Sequence, residues 1–143
     1  MTLPIGSEDT FSGVVDLVEM KAYEFDAESQ GLTMSEIAIP KDLATKAQEY
    51  RDKMIEEICS HDEQLVDKYL KNQKIGNEEL KAAARRATIA MKITPVFCGS
   101  AFKNKGVQLM LDGVVNYLPS PLDVPPVQGW LPGDKSRVIT RKT

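Results

Sequence analysis

The hydrophobic pattern of the chain changes period at Pro40, and this change constrains the fold more than any other feature. Before Pro40, apolar residues form short β-branched or alternating runs, at 14–18 and 21–25, which favour strands. After Pro40, apolar residues recur every three or four positions, as they do on one face of an α-helix. Strands followed by helices predict an α+β arrangement for residues 1–92.

The first 40 residues predict a small, mainly antiparallel sheet. Residues 26–31 are polar and end in a glycine, so they predict a hairpin loop, and residues 35–39 predict the returning strand. Residues 41–92 predict about three helices. The second helix is predicted to begin with a capping box, in which Ser60 is the N-cap and the Glu63 side chain accepts from the Ser60 amide. The third helix is predicted to begin with Asn77 as N-cap.

A strand, a loop and a helix are predicted after residue 92. Residues 93–98 are nearly all apolar, which is typical of a strand covered on both faces. Residues 107–118 predict the helix, and the prolines that follow predict an extended connector. The overall class is therefore α/β with an α+β insert. The strand at 93–98 needs neighbours, so we expect it to pair elsewhere, pair with another chain or stay exposed.

Composition limits the function classes. The 143 residues include 18 basic and 21 acidic side chains, and the net charge of -3 disfavours a generally basic nucleic-acid binder. No apolar run approaches a membrane span, and the start lacks the pattern of a signal peptide. Cys59 and Cys98 have no metal or redox spacing and fit a reducing compartment. We therefore expect a cytoplasmic protein.

No catalytic or metal-binding pattern is complete in the sequence. His61 lies beside Ser60 and Asp62, but neighbours at a helix start point different ways, so we predict a surface side chain. A phosphate loop of the form G-x-x-x-x-G-K-[ST] is absent. The small residues Gly99, Ser100 and Ala101 follow the predicted strand, where open α/β sheets bind ligands, although such a turn is more often a plain connection.

Two long motifs resemble the elongation factor G family of translational GTPases. The run Cys-Gly-Ser-Ala-Phe-Lys-Asn-Lys-Gly-Val-Gln at 98–108, with its continuation through Leu-Pro-Ser-Pro-Leu-Asp-Val-Pro at 118–125, resembles the family's last guanine-nucleotide motif. Residues 3–6, 11–17 and 20–22 resemble the insert within its GTPase domain. The resemblance implies an insert subdomain at 1–92, the closing strand, guanine loop and helix of a P-loop GTPase domain at 93–118, and a connector at 119–143.

The resemblance also implies a fragment of a larger enzyme. Members of the family use GTP hydrolysis on the ribosome to move tRNA and mRNA during protein synthesis. Their phosphate loop, switch segments and Asn-Lys-x-Asp motif are absent from this sequence, so Met1 and Thr143 are expected to be the ends of a fragment. GTP or GDP with magnesium is expected only in the full-length parent. The chain alone is expected to hold no cofactor, to have no catalytic residue and to hydrolyse no GTP.

The guanine contact implied by the resemblance involves three residues. Ser100, Ala101 and Phe102 correspond to the family's Ser-Ala-x loop, in which the Ala101 amide would donate to the guanine carbonyl oxygen and Ser100 would brace the turn. Adenine has an amino donor at that position and would be rejected. Lys103 and Lys105 either orient the loop or are solvated charges, and we interpret them as solvated charges.

A partner surface is predicted on the helices. Glu56, Glu63 and Asp67 are spaced by 7 and 4 residues and form an acidic stripe if helicity continues through Ser60. The resemblance to the family implies that this insert is a docking surface for the ribosomal stalk protein. The alternative is that the acidic stripe is a solvated face with no partner. A nucleotide-independent module that docks the stalk, or a ribosomal-protection or release GTPase, remains an alternative function. We expect neither membrane binding nor sequence-specific nucleic-acid binding.

Overall fold

The N-terminal part of the chain is a four-stranded antiparallel meander. The computed structural model describes residues 1–26, 28–123 and 125–141. Strands that follow each other in sequence are also neighbours in the sheet, in the order β1 (Thr2–Ile5), β2 (Gly13–Asp16), β3 (Lys21–Phe25) and β4 (Met34–Ile37). The small antiparallel sheet predicted from the sequence is confirmed.

Both faces of this sheet are covered near its centre. Val14 and Val15 are consecutive in β2, so their side chains point to opposite faces, and both are fully buried. Val15 belongs to a cluster with Ala47 of the first helix, whereas Val14 belongs to a cluster against which Leu109 packs. The sheet is therefore a layer between the first helix, which contains Ala47, and the segment beyond residue 97, which contains Leu109.

The described residues after the sheet form four α-helices, namely α1 (Lys41–Ser60), α2 (Glu63–Leu70), α3 (Asn77–Ile89) and α4 (Val107–Tyr117). The three helices predicted within 41–92 and the fourth after residue 106 are confirmed. Helices α1, α2 and α3 pack together, and α4 packs on α3. Their shared core contains Val18, Ile58, Cys59, Leu65, Leu80, Ala83, Ala84 and Tyr117. Among the described residues, no helix is both long enough and apolar enough to cross a membrane.

The predicted caps of α2 and α3 are wrong. Ser60 is the last residue of α1, and the Asp62 carboxylate caps α2 by accepting from the amides of Gln64 and Leu65 at 3.1 and 3.2 Å. Asp62 is buried and also pairs with Arg86 of α3, which compensates the cost of burying its charge. This interhelical pair cannot be seen in the local sequence around Ser60.

Asn77 lies inside α3 and joins a polar network between elements. Gly76 is the N-cap of α3, and its amide donates to Glu79 at 3.2 Å. The Asn77 side chain accepts from Arg51 Nη2 at 3.1 Å and donates to Glu19 at 3.1 Å. Arg51 also donates to the carbonyls of Leu17 and Val18. The network therefore fixes α1 and α3 against the turn after β2.

The strand predicted at 93–98 does not form among the described residues. This segment instead has isolated contacts with the start of the chain. The Met1 amino group donates to the Val96 carbonyl at 2.8 Å, and the Cys98 amide donates to Thr2 Oγ1 at 2.8 Å. A strand needs a ladder of successive main-chain bonds to a neighbour, and two isolated bonds do not make one. Val96 remains largely exposed.

A hairpin that the sequence analysis does not predict lies within the proposed connector. Strands β5 (Val127–Leu131) and β6 (Asp134–Arg141) pair antiparallel, with Gly129 opposite Ile139. Gly133 at the turn has a φ of +89°, a conformation that favours glycine. Val124, Lys142 and Thr143 of the predicted connector, and Ala27 of the predicted hairpin loop, lie outside the described residues.

Candidate functional site

The loop before α4 is a closed turn. The Ser100 amide donates to the Lys105 carbonyl at 2.8 Å, and the Lys105 amide donates to the Ser100 carbonyl at 3.0 Å. Within the turn, the Asn104 amide donates to the Ala101 carbonyl at 3.1 Å. Residues 101–104 therefore form a tight tip on a base made by Ser100 and Lys105.

Two glycines allow the base of this turn to close. Gly106 has a φ of +82°, and a Cβ atom there would lie 2.7 Å from the Cys98 carbonyl oxygen. A Cβ atom on Gly99 would lie 2.9 Å from the Lys105 carbonyl oxygen. Real Cβ atoms essentially never approach an oxygen as closely as 2.7 Å, so the Gly-x-x-x-x-x-x-Gly spacing at 99–106 is a local requirement of this loop.

The tip presents main-chain donors. Among the described residues, the amides of Ala101, Phe102 and Lys103 donate no hydrogen bond. Ala101 is exposed, and the Phe102 side chain is fully exposed. A cleft of about 210 Å³ lies beside the turn and is lined partly by Gly99, Ser100 and Ala101. The Ala101 amide thus belongs to a residue that lines this cleft and has no acceptor in the described chain.

The surroundings of the turn differ from the prediction at Lys105. Its Nζ atom donates to the Phe11 carbonyl at 2.9 Å, and its side chain is part-buried, so its interpretation as a solvated charge is wrong. No local pattern could have predicted this contact, because the donor and the acceptor are 94 residues apart. Lys103 is exposed, with its Nζ atom 3.9 Å from Asp9. Ser100 holds the turn with its main-chain atoms.

A second tether joins α4 to the loop between β3 and β4. Gln108 Nε2 donates to the Gly31 carbonyl at 3.0 Å. Within the described part of the chain, Gln108 Oε1 is buried and has no hydrogen-bond partner. A Cβ atom on Gly31 would lie 2.6 Å from the Asn104 carbonyl oxygen, so this loop lies directly against the tip of the turn.

The three acidic residues predicted to face a partner lie on two helices. Glu56 is on α1, whereas Glu63 and Asp67 are on α2, and the chain turns at His61 between the helices. All three side chains are exposed, and none forms an ion pair within the described ranges. They therefore form two short acidic segments on either side of a bend.

The remaining reactive side chains form no centre in the part of the chain that the structure describes. His61 is exposed, with Nε2 3.3 Å from Glu57, so its predicted surface position is confirmed. Cys59 and Cys98 are free, and burial raises the pKa of the Cys59 thiol. Burial also raises the pKa of Tyr117 to about 12, so its phenol stays protonated near neutral pH. No three described His, Cys, Asp or Glu side chains are grouped to hold a metal ion.

An apolar groove of about 520 Å³ is lined by residues of α4 and of the segment at 93–97. Its lining includes Ile93, Phe97, Met110 and Val114. Beside it, Val115 and Val96 are exposed by 76% and 64%. The strand-like segment and α4 thus leave much of their apolar surface in contact with solvent.

No protein-family model matches this chain. A crystal structure of a Thermus thermophilus protein matches it with a TM-score of 0.75 and 27% sequence identity. The match covers 87% of this chain and 19% of the Thermus chain. This chain therefore spans about a fifth of that protein and shares its fold with that part.

Proposed function

We propose that this chain is part of a translational GTPase of the elongation factor G type and supplies the guanine loop of its nucleotide site. The observation that carries the proposal is the closed turn on Ser100 and Lys105, which leaves the Ala101 amide without a hydrogen-bond partner among the described residues. The guanine-loop motif resembles that of the family at this same turn. The match to one fifth of a longer protein supports a role within a larger chain.

The chemistry of the turn suits guanine. The amide donor at Ala101 pairs with the guanine carbonyl oxygen O6, whereas adenine would bring an amino donor to the same place. A site built around a hydrogen bond discriminates strongly, because the wrong base leaves polar groups unpaired. Phe102 follows the donor and, with its exposed ring, completes the Ser-Ala-x loop.

We assign the contacts with the nucleotide phosphates and with the magnesium ion to other parts of the larger protein. This sequence contains no phosphate loop, and its described residues contain no metal cluster, so the chain contributes to base recognition alone. In a translocase of this type, GTP binding and hydrolysis would drive movement of tRNA and mRNA on a cytoplasmic ribosome. A ribosomal-protection or release GTPase would use the same turn in the same way.

The apolar groove beside α4 supports a larger GTPase domain. A strand covered on both faces and its following helix normally bury their apolar surface against a parallel sheet. Here Val96 and Val115 remain exposed, and residues 93–98 have no ladder partner in the described chain. The rest of the GTPase domain would supply that sheet.

A second role, docking of the ribosomal stalk protein, has its own observation. Glu56, Glu63 and Asp67 are exposed and have no ion-pair partner among the described residues, unlike Glu49 and Glu79, which pair with lysines. Unpaired carboxylates attract a basic partner and mainly accelerate its association. This role needs no nucleotide and would accompany the GTPase function.

Nucleotide titration of the longer protein that contains this chain tests the proposal. We expect GDP to bind at least about 100-fold more tightly than ADP, because only guanine accepts from the Ala101 amide. The 143-residue chain titrated in parallel should show no measurable affinity for either nucleotide. Equal affinity of the longer protein for GDP and ADP would contradict the proposal.

A further inference from the structure

The tip that carries the Ala101 amide has few internal restraints. The paired main-chain bonds between Ser100 and Lys105 close its base, and one bond from Asn104 to Ala101 spans it. These bonds set the shape of the turn but do not fix its direction relative to the rest of the molecule. The restraints that fix the direction of the turn come from the N-terminal sheet.

Two side-chain hydrogen bonds tie the turn and α4 to that sheet. Lys105 donates to the carbonyl of Phe11, just before β2, and Gln108 donates to the carbonyl of Gly31, between β3 and β4. The donors and acceptors are 94 and 77 residues apart in sequence. The turn is therefore held from two separate loops of the sheet.

Close packing reinforces these bonds. A Cβ atom on Gly31 would lie 2.7 Å from the Lys103 carbonyl oxygen and 2.6 Å from the Asn104 carbonyl oxygen. The main chains of the two loops are therefore in direct contact. Gln108 Oε1 is buried and unpartnered among the described residues, so the donor to Gly31 fixes the orientation of the Gln108 amide. A shift of the loop at Gly31 would therefore displace the tip.

We infer that Lys105 and Gln108 are positioning residues through which the N-terminal sheet sets the place of the Ala101 amide and hence the selectivity for guanine. The inference rests on the proposed function. Hydrogen-bond recognition depends steeply on donor position, so a displacement of the tip weakens the contact with O6 and leaves contacts with sugar and phosphate unchanged. The sheet is thus a part of the base-recognition site although it does not touch the base.

The variants Lys105→Met and Gln108→Glu in the longer protein test this inference. Methionine keeps the approximate length of the lysine chain but has no donor. Glutamate replaces the donor with an oxygen that faces the Gly31 carbonyl, and an acidic residue in the first turn of α4 suits the helix dipole. Lys105→Arg restores a donor, and Lys103→Met removes a neighbouring exposed lysine that pairs with Asp9.

Affinities for GDP, inosine diphosphate and ADP distinguish positioning from a general structural effect. Inosine diphosphate shares O6 with GDP, so both should bind about 10-fold more weakly to Lys105→Met and Gln108→Glu, with ADP unchanged. Lys105→Arg should recover most of the loss, and Lys103→Met should match the wild type. Thermal unfolding of each variant checks its fold.

Two results overturn the inference. One is a wild-type preference for GDP over ADP that Lys105→Met and Gln108→Glu both retain in full. The other is an equal loss of affinity for all three nucleotides, which would indicate general damage to the site. A wild-type protein with no preference for GDP would instead remove the proposed function, and this inference with it.

Discussion

The buried carboxylate of Asp62 and the exposed guanidinium of Arg86 form a junction between α2 and α3. Arg86 Nε donates to Asp62 Oδ2 at 3.0 Å, and Arg86 Nη2 donates to the same oxygen. The other oxygen of Asp62 accepts from the two amides at the start of α2. One side chain therefore caps a helix and joins it to a second helix.

Replacement of Asp62 by alanine should lower the free energy of unfolding by about 2 kcal/mol, because both the cap and the pair with the solvent-exposed Arg86 are lost. Urea denaturation followed by circular dichroism measures this loss. Ser60→Ala is the matched control. Ser60 is the cap predicted from the sequence but lies in the last turn of α1, so its removal should cost less than about 0.5 kcal/mol. A larger loss at Ser60 than at Asp62 would reverse the assignment.

The same junction predicts a pH dependence of stability. Burial alone would raise the pKa of Asp62, but the Arg86 guanidinium and the α2 amides hold it below its ordinary value of 3.8. The folded state therefore binds this proton less readily than the unfolded state. The stabilisation is complete above about pH 5 and is lost as the pH falls through the folded pKa.

Stability measured from about pH 7 to about pH 3 checks this sign. The difference in unfolding free energy between the wild type and Asp62→Asn should be largest near neutral pH and should shrink below about pH 4. A difference that grows on acidification would mean that the folded pKa of Asp62 is raised.

Gly106→Ala should destabilise the chain by at least about 2 kcal/mol, because alanine at positive φ is strained and its Cβ atom would meet the Cys98 carbonyl. Gly129→Ala is the matched control, since no atom lies within 4 Å of the place its Cβ atom would take and its φ is not positive. Its stability should be unchanged or slightly higher. Thermal unfolding of both variants decides, and equal melting temperatures would contradict the closed geometry of the turn.

The helices could be predicted from the sequence because their signal is local. The stripe from Leu43 to Ile58 repeats at helical spacing, and α1 forms over that range, with Ala47 and Ile58 buried. Strand β3 also forms where the sequence predicts it, although its burial does not alternate, because Ala22 and Phe25 are buried on opposite faces of the sheet. Periodicity is sufficient where an element buries one face against its neighbours.

Other features could not be predicted because their cause lies far away in the sequence. Residues 93–98 have a strand composition, but a strand requires a partner ladder, which the described residues do not supply. Asp62 caps α2 because Arg86 neutralises it from 24 residues away, and Lys105 is part-buried because Phe11 offers a carbonyl. The β5–β6 hairpin did have a local signal, the Pro-Gly pair at 132–133 followed by the β-branched run at 138–140, which the prolines upstream obscured.

If this face docks the stalk protein, as proposed, charge reversal of Glu56, Glu63 and Asp67 to lysine should slow association with the globular domain of that protein, because exposed carboxylates act mainly on the association rate. Surface plasmon resonance at two salt concentrations measures this rate, and the effect should diminish as salt rises. Reversal of three other exposed acidic residues serves as the control and keeps the net charge of the two variants the same; these are Glu24, Glu28 and Asp42. Identical association rates for the wild type and the first variant would make this face a solvated surface.

Calorimetric titration of GDP into the longer protein with Ala101→Pro tests the central claim most directly. Proline removes the amide donor of the turn, whereas Ala101→Ser keeps it and serves as control. If the turn recognises guanine, Ala101→Pro should weaken GDP binding by at least about 10-fold and leave ADP binding unchanged, while Ala101→Ser stays near the wild type. An Ala101→Pro protein that is correctly folded and binds GDP as tightly as the wild type would contradict the account.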